Sequence, residues 1–247
     1  HGVLHGRGTQ AHQRHGLRQG QDFGRHQGRI LAQRMAGHRL RPQDLGGLVA
    51  LGLTTVAVAC RPRVAILATG NEVVPPDVTP GPGQVRDINT YTIAAQIQAA
   101  GGIPEPLGII ADDAAALRAA AESALARSDM VVITAGSSVS ARDMTVTIIA
   151  ALGEPGVLLH GVATRPGKPT IVGAVAGKPV LGLPGNPVSA LIQFDMFGVP
   201  ALYHLQGLVG ERPRNRVWAR LAANVPSASG REDYVPARLE ESAGELL

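Results

Sequence analysis

The feature that most constrains the fold of this chain is a regular alternation of aliphatic runs and helical stretches between residues 63 and 207. Short Val-, Ile- and Leu-rich runs bounded by turn residues are typical of strands buried on both faces of a parallel sheet. Only 3% of the residues are aromatic, so aliphatic strands and Ala-rich helices must form the core. The alternation predicts a three-layer α/β/α domain around a mostly parallel sheet.

Local patterns predict the individual elements. Asp87 is the expected N-cap of the first helix of the domain, and Gly101 and Gly102 are expected to stop it. A separate helix is predicted to begin at Pro42. The predicted strands cover residues 63–68, 103–110, 130–134, 157–162, 170–175 and 179–183, and the predicted helices of the domain cover 88–100, 114–127, 144–152 and 188–203.

The stretch 130–143 is the centre of the expected site. An apolar strand runs into a loop of small residues, Ala135 to Ser138, whose backbone can come close to a ligand. The helix expected from Met144 would present free N–H groups and the positive end of its dipole to that loop. Open α/β sheets bind ligands at such turns, although a tight connection without chemistry gives the same pattern.

Acidic, hydroxyl and basic residues follow several predicted strands. Because the carboxyl ends of parallel strands share one edge of a sheet, we expect these side chains to gather there. Acids without Cys or His partners suit a hard cation such as Mg²⁺, while small-residue loops and a lysine suit phosphate oxygens. The candidates are Glu72, Asp112 or Asp113, Asp143, Ser137, Ser138, Ser140, Ser189 and Lys168.

Most of these residues also have a structural alternative. A carboxylate or amide next to a helix start commonly caps it. Glu72 has the weakest alternative, because a carboxylate just after a buried strand needs a partner or water. The alternatives are an N-cap role for Asp112 or Asp113, an N-cap role for Asp143, a helix start for Asn186-Pro187, and a solvated loop position for Lys168.

The motifs exclude several other kinds of site. The stretch from Gly161 to Lys168 has one residue too many between its glycines for a Walker A loop, and it continues into a strand. Gly81-Pro-Gly83 lacks the third glycine of a Rossmann fingerprint. No histidine lies in the candidate loops, which argues against a nucleophile–His–acid triad. The single cysteine, Cys60, leaves no intramolecular disulfide or cysteine-based zinc site, as in a reducing cytosol.

The net charge of +4 belongs to the first part of the chain. Residues 1–43 carry eight Arg and one Asp, whereas the remainder carries 15 basic and 18 acidic residues. We therefore expect no nucleic-acid binding by the α/β domain. No apolar run approaches the roughly 20 residues of a membrane span, and no signal-peptide pattern is seen, so a cytoplasmic protein without a membrane partner is expected.

Both ends of the chain differ from the α/β domain, which we place at 63–210. Residues 1–36 hold five of the eight histidines, with many Gly, Arg and Gln. They are a disordered basic tail, a segment that binds nucleic acid or metal, or, as we hypothesise, out-of-frame or mis-started coding sequence. Residues 37–62 are expected to be a linker helix and strand from a preceding domain. Residues 211–247 predict the start of an incomplete β domain, with strands at Val217–Leu221 and Tyr234–Leu239.

Several segments are recognisable together. RPGKPTIVG followed at this spacing by GLPGNPVSAL is the strongest signal, accompanied by VAILATGNEV, DINTYTIAAQI, LGIIADD and VVITAGSSVSARD. From about Gly37 to Leu239 the chain resembles the MoeA family of molybdopterin molybdenumtransferases, related to the gephyrin E domain. The tail AANVPSASGREDYVPARL is similar to the opening of that family's C-terminal β domain, which helps to separate the chain from single-domain relatives that adenylate molybdopterin.

The resemblance implies an enzyme of molybdenum cofactor biosynthesis with a MoaB/Mog-like core. Such proteins take molybdopterin adenylate and molybdate, use Mg²⁺, and release molybdenum cofactor and AMP. A homodimer is implied, and a molybdopterin adenylyltransferase is a possible partner. Carried onto this chain, the resemblance makes Asp143, Glu72, Asp113 and Lys168 catalytic candidates, Asp143, Glu72 and Asp112 metal ligands, and Thr69, Gly70, Gly136, Ser137, Ser138, Ser140, Arg165, Pro184, Gly185, Asn186, Pro187 and Ser189 substrate-binding residues.

The chain also departs from that family. Asn71 stands where Asp is usual, Ser138 and Ala141 occupy a loop that is usually richer in Gly, and residues 1–36 do not resemble the family's N-terminal domains. Two alternatives to an active enzyme therefore stay open. One is a remnant that binds molybdopterin or a nucleotide with weak catalysis, and the other is a dimerising scaffold. Turnover separates the enzyme from the remnant, and ligand binding separates the remnant from the scaffold.

Overall fold

The structure, a computed structural model, describes residues 37–135, 139–208, 216–242 and 245–246. The chain divides into two compact units. The described residues of the first unit are 37–61 and 203–208, and those of the second, called the core unit below, are 62–135, 139–202, 216–242 and 245–246. The segment 1–36, for which the sequence allows three interpretations, lies outside the described residues.

The first unit contains the predicted helix that begins at Pro42. This helix, α1, covers Pro42–Ala50 and buries Leu48. The Asp44 carboxylate accepts hydrogen bonds from the backbone N–H of Arg41 at 2.8 Å and from its guanidinium at 3.1 Å. These bonds, with one to His38, hold the pKa of Asp44 below its usual range. The acid in the first turn therefore fixes the helix start.

The core unit is built on a six-stranded sheet with short accessory strands. Its helices are α2 Asn89–Ala99, α3 Ala114–Arg127, α4 Val139–Ala151 and α5 Pro187–Gln193, followed by a π-helical turn at Phe194–Gly198 and by α6 Val199–Leu205, which runs on into the first unit. The strands are β1 Arg63–Thr69, β2 Val73–Val74, β3 Val85–Arg86, β4 Ile103–Ile110, β5 Met130–Thr134, β6 Pro155–His160, β7 Thr164–Arg165, β8 Ile171–Val175, β9 Lys178–Leu183, β10 Glu232–Asp233, β11 Glu241–Ser242 and β12 Glu245–Leu246.

The strand order of the main sheet is β4-β1-β5-β9-β8-β6. Strands β4, β1, β5 and β9 are mutually parallel, while β8 is antiparallel to both β9 and β6. The predicted mostly parallel sheet is therefore confirmed, with one reversed strand that the alternation alone did not indicate. The reversal follows from the short turn at Ala176-Gly177, because a connection this short can join only antiparallel neighbours.

Helices cover both faces of the sheet, which confirms the three-layer arrangement. On one face α2 packs against β1 and β4 and also against α5. On the other face α3 and α4 pack together over alternate residues of the central strands. Their buried cluster consists of Ala65, Leu67, Leu117, Ala121, Ala124, Val131, Ile133, Ile148, Ile149, Ile171, Val175 and Val180.

Helix α4 begins earlier than the sequence predicted. It starts at Val139 rather than at Met144, so Asp143 lies inside the helix and is not its N-cap. The segment from Val139 to Asp143 contains no Gly or Pro, and its Ala and Arg residues are good helix formers. The position of the acid was therefore a poor marker of the helix start.

The C-terminal segment contains less strand than predicted. No strand forms at Val217–Leu221 or at Tyr234–Leu239; instead β10 pairs in parallel with β7, and β11 pairs antiparallel with β12. Trp218 is 98% exposed and its apolar neighbours are also exposed. Alternating apolar residues stabilise a strand only when another layer covers them, and no described residue covers this stretch.

No helix in the described part of the chain is both long and apolar enough to cross a lipid bilayer.

The long helical region predicted at 188–203 is confirmed, although a π-helical turn interrupts it. Phe194 begins this turn and is fully buried, and Gly198 ends it. A Cβ atom at Gly198 would collide with the Phe194 ring. A glycine is thus required where the ring fills the space beside the backbone.

We predict that Gly198→Ala lowers the free energy of unfolding by about 1–3 kcal/mol, because the Phe194 ring must move within a packed core. Chemical denaturation followed by circular dichroism measures the change. The control is Gly81→Ala, where the nearest atom to the new methyl group is the flexible Gln84 Oε1 at 3.3 Å. Equal effects of the two substitutions would contradict the packing argument.

Candidate functional site

Five loops lie along one edge of the sheet. Strands β4, β1, β5 and β9 run in the same direction, and β6 shares it because both β6 and β9 are antiparallel to β8. The carboxyl ends of all five strands therefore point to the same edge. The loops gathered there contain the predicted positions 69–72, 112–113, 166–169 and 184–186 and the start of the loop at Ala135; the predicted positions Gly136, Ser137 and Ser138 lie outside the described residues.

This edge is long. Strands β4 and β6 occupy opposite ends of the sheet, and five spacings of about 4.8 Å separate them by roughly 24 Å. The acids near β4 and the basic residues between β6 and β8 consequently belong to opposite ends of the edge. The arrangement suits an elongated ligand better than a small compact one.

Asp112 and Asp113 have different roles at the acidic end. Asp113 Oδ1 accepts a hydrogen bond from the Ala116 backbone N–H at 2.8 Å, so Asp113 is the N-cap of α3. Asp112 points back toward β1, where its carboxylate accepts hydrogen bonds from the Thr69 hydroxyl at 2.6 Å and the Asn71 N–H at 3.3 Å. The structural alternative therefore applies to Asp113, and Asp112 is the acid that faces the neighbouring loop.

Gly70 and Glu72 occupy the turn after β1. Gly70 has φ +143°, and a Cβ atom there would lie 2.9 Å from Glu72 Oε2 and 2.9 Å from a Val73 methyl group. The Glu72 carboxylate thus folds back over Gly70. This close approach explains why glycine stands at the turn.

The three predicted metal ligands are not brought together. Among the residues that the structure describes, no group of three or more His, Cys, Asp or Glu side chains is placed to hold a metal ion. Asp143 is exposed in α4, which follows β5, whereas Asp112 follows β4, two strand positions away. Asp143, Glu72 and Asp112 therefore do not form a protein-only magnesium cage.

The loop after β9 is fixed by Asn186 and by a residue that the sequence did not single out. Asn186 Oδ1 accepts hydrogen bonds from the N–H groups of Val188 at 3.1 Å and Ser189 at 3.2 Å, so the expected helix start is confirmed. The buried Asn89 donates from Nδ2 to the Gly185 carbonyl at 3.0 Å. Asn89 lies within the DINT stretch, and its only sequence signal was a polar residue in a first helical turn.

The basic end of the edge contains a cavity of about 480 Å³. It is lined by residues 162–169 and 228–231. Arg165 and Lys168, both exposed, lie on one side, and Arg231 lies on the other. Three cationic side chains with the hydroxyls of Thr164 and Ser229 form a site suited to an oxyanion.

The C-terminal segment completes this cavity through backbone pairing. The Glu232 N–H donates to the Ala163 carbonyl at 2.9 Å, and the Tyr234 N–H donates to the Arg165 carbonyl at 2.7 Å. Arg231 Nε donates to Asp233 Oδ1 at 3.0 Å. Sequence reasoning missed Arg231 because it lies 66 positions after Arg165, and nothing local indicates that the two segments pair.

Asp233 is the acid beside these basic groups. A hydrogen bond from Ser227, followed by the charges of Arg231 and Arg165, lowers the pKa of its carboxyl below the ordinary value. Burial opposes the shift without cancelling it. Asp233 therefore stays ionised and holds Arg231 at the cavity wall.

Comparisons with known proteins point to one family. Residues 65–204 match the family model described as "Probable molybdopterin binding domain". Molybdopterin molybdenumtransferase 2 of Mycobacterium tuberculosis is 33% identical over 215 residues, which are 85% of this chain and 53% of the relative. Molybdopterin molybdenumtransferase of Nostoc sp. is 36% identical over 203 residues, 81% of this chain and 46% of the relative.

A solved structure is similar as well. The molybdopterin biosynthesis MoeA protein from Pyrococcus horikoshii superposes with a TM-score of 0.62 and 42% sequence identity, over 71% of this chain and 43% of that one. The chain spans about half the length of the curated relatives it matches.

The division of roles between Asp112 and Asp113 can be tested by amide exchange. Asp113→Ala should speed hydrogen exchange at the Ala116 N–H and lower the free energy of unfolding by about 1 kcal/mol, through loss of the cap. Asp112→Ala should instead affect the Asn71 N–H and leave Ala116 protected. Faster exchange at Ala116 in the Asp112 variant would contradict the assignment.

The lowered pKa of Asp233 predicts a pH-dependent contribution to stability. A carboxyl whose pKa is lowered in the folded state stabilises the fold above its unfolded pKa of about 3.9, and this contribution is lost as the pH falls through the folded value. Asp233→Asn should therefore lower the denaturation midpoint at pH 7, with the difference from the unaltered chain shrinking below pH 4. A difference that is constant from pH 7 to pH 2.5 would contradict this electrostatic role.

Proposed function

The chain belongs to the MoeA family of molybdenum cofactor biosynthesis proteins, and from this premise we propose that it transfers molybdenum from molybdate to adenylated molybdopterin with release of AMP. The observation that carries the proposal is the basic cavity at the carboxyl edge of the sheet. The reaction is inferred from the family to which the chain belongs, and the cavity is where we propose that the oxyanion substrate binds.

The chemistry of the cavity suits molybdate. Molybdate is a small dianion that can only accept hydrogen bonds from its surroundings. Arg165 and Arg231 supply guanidinium groups, Lys168 supplies an ammonium group, and Thr164 and Ser229 supply hydroxyl donors. Charge-assisted hydrogen bonds from such groups are the strong ones in proteins. The free volume of the cavity leaves space for a second ligand beside the anion.

The length of the edge suits adenylated molybdopterin. A pterin joined to a nucleotide through phosphate groups is an extended molecule, and the edge runs roughly 24 Å from β4 to β6. The N-terminus of α4 lies at this edge after β5, and the N–H groups in the first turn of a helix, with the positive end of its dipole, suit a phosphate. Bound along the edge, the substrate would bring its pterin toward the oxyanion while its phosphate groups stay near the centre of the sheet.

Magnesium fits this arrangement only with help from the substrate. The described acids provide no group of three ligands, but Mg²⁺ commonly keeps several waters and binds one or two carboxylates together with substrate phosphates. We propose either Asp143 or Asp112 as the carboxylate in this role, since the two lie two strand positions apart. When bound, the ion would neutralise phosphate charge during loss of AMP. We further propose a homodimer, supplied with substrate by a molybdopterin adenylyltransferase.

Turnover tests the proposal directly. The purified chain would be given molybdopterin adenylate, Mg²⁺ and molybdate, and AMP release would be followed together with reconstitution of a cofactor-free molybdoenzyme. We expect AMP release that depends on molybdate. Binding of molybdopterin adenylate without AMP release would instead support the binding-only remnant, and absence of binding would support the scaffold.

We predict that Asp143→Asn reduces AMP release at least about a hundredfold without unfolding the chain, since Asp143 is exposed and its negative charge would help to hold Mg²⁺ beside the substrate phosphate. Glu122→Gln is the matched control, because Glu122 is an exposed acid paired with Arg118 on α3 and such pairs contribute little. Unchanged turnover in the Asp143 variant would leave this residue without a catalytic role.

A further inference from the structure

We propose that Gln193 is a positioning residue for the oxyanion site, because its buried amide fixes the segment that carries Arg165 and Lys168. The inference deepens the proposed function and rests on it, since it concerns the same cavity. Gln193 does not line that cavity. It would act on the anion only through the loop that it holds.

The amide nitrogen of Gln193 makes two hydrogen bonds to this loop. Nε2 donates to Thr164 Oγ1 at 2.9 Å and to the Pro166 carbonyl at 2.9 Å. Because a carbonyl oxygen can only accept, the nitrogen and not the oxygen of the amide must face Pro166. Gln193 ends α5 and is fully buried, so the donors are presented from a fixed element of the core unit.

Gly167 shows how closely the loop lies against this side chain. Its φ of +111° is in the region that favours glycine, and a Cβ atom there would collide with the Gln193 side chain. Gly167 is buried, whereas Arg165 and Lys168 on either side of it are exposed. Gln193 therefore holds the middle of the segment while the two cationic side chains stay accessible to an anion.

Burying the carbonyl oxygen of Gln193 is energetically unfavourable. Oε1 is buried and has no hydrogen-bond partner among the described residues. A buried unpaired acceptor is unfavourable, and a methionine would fill nearly the same volume without it. The donors of Nε2 are the feature that a methionine lacks, so they are the reason for an amide at this position.

Holding the loop matters for binding because Arg165 and Lys168 carry the same charge. With no anion present they repel each other, and a free loop would move them apart. A loop that is already fixed avoids the ordering cost when the anion binds. Gln193 should therefore raise the affinity for molybdate more than it raises the stability of the fold.

Two methionine variants of the full chain provide the test. Gln193→Met keeps the side-chain volume and removes both donors. Gln96→Met is the matched control, since Gln96 Nε2 donates to the Leu191 carbonyl at 3.1 Å and its Oε1 is likewise buried and unpaired, but it lies on α2 away from the loop. Molybdate alone is the probe, titrated by calorimetry.

We expect the dissociation constant for molybdate to rise at least about tenfold in Gln193→Met and to stay within about twofold in Gln96→Met, with both variants folded. Backbone amides of residues 161–170 should also exchange faster in Gln193→Met with no ligand present, which tests the hold on the loop separately. The expected exchange pattern together with the expected affinity loss supports the proposal.

The outcomes separate this inference from the proposed function. If the unaltered chain does not bind molybdate, the oxyanion site itself is wrong and Gln193 has no such role. If the unaltered chain binds molybdate and Gln193→Met binds it equally well, the site stands and the positioning role is overturned, whatever the exchange rates. An equal loss of affinity in Gln96→Met would show a general effect of destabilisation and would also overturn it.

Discussion

The parallel pairing of β5 between β1 and β9 is the interaction on which the rest of the structure depends. All five residues of β5 are buried; β1 pairs with the strand along its whole length, and β9 pairs with residues 131–134. A strand in this position can satisfy its backbone groups only within the sheet. Its two neighbours must therefore pair with it along its edges. Because neighbouring parallel strands cannot be joined by a tight turn, the chain connects them through helices that lie on the two faces of the sheet. Because these strands run in the same direction, the loops that follow them lie at one edge of the sheet, whatever the sequences of the loops.

The sequence was sufficient to predict the repeated strands and helices of the α/β domain. Aliphatic runs located the strands of the main sheet, and Ala-rich stretches located α3 within its observed bounds, because burial on both faces leaves a strong compositional signal. Asn186-Pro187 located the start of α5 through local chemistry that is independent of the fold. Asp143 was a poor guide to the start of α4. An acid near a helix start commonly caps the helix, yet the helix formers Ala141 and Arg142 precede Asp143, and the helix begins at Val139.

What the sequence could not show is pairing between distant segments. Asp112 and Asp113 are adjacent and chemically identical, and only the position of β1 distinguishes the acid that accepts from Thr69 from the one that caps α3. The same is true of Arg231 and Gln193, whose relation to the Thr164–Lys168 segment depends on tertiary contacts. The reversed strand β8 has a comparable effect, since it places the loop between β6 and β8 at the same edge as the other candidate loops. The site is therefore a product of topology more than of any local motif.

The pairing of β10 with β7 has a kinetic consequence. One wall of the basic cavity comes from residues 228–231, which are held beside the other wall by a ladder of only two residues on each strand. So short a ladder can open independently of the main sheet, as weakly protected elements commonly do. Because residues 228–231 are covalently connected to the rest of the chain, they stay at a high effective concentration when the ladder opens, and the ladder closes again in an intramolecular step. Entry and exit of a ligand could then follow the opening of this wall, with an exchange rate that is set by the short strand pair and not by diffusion through the cavity mouth.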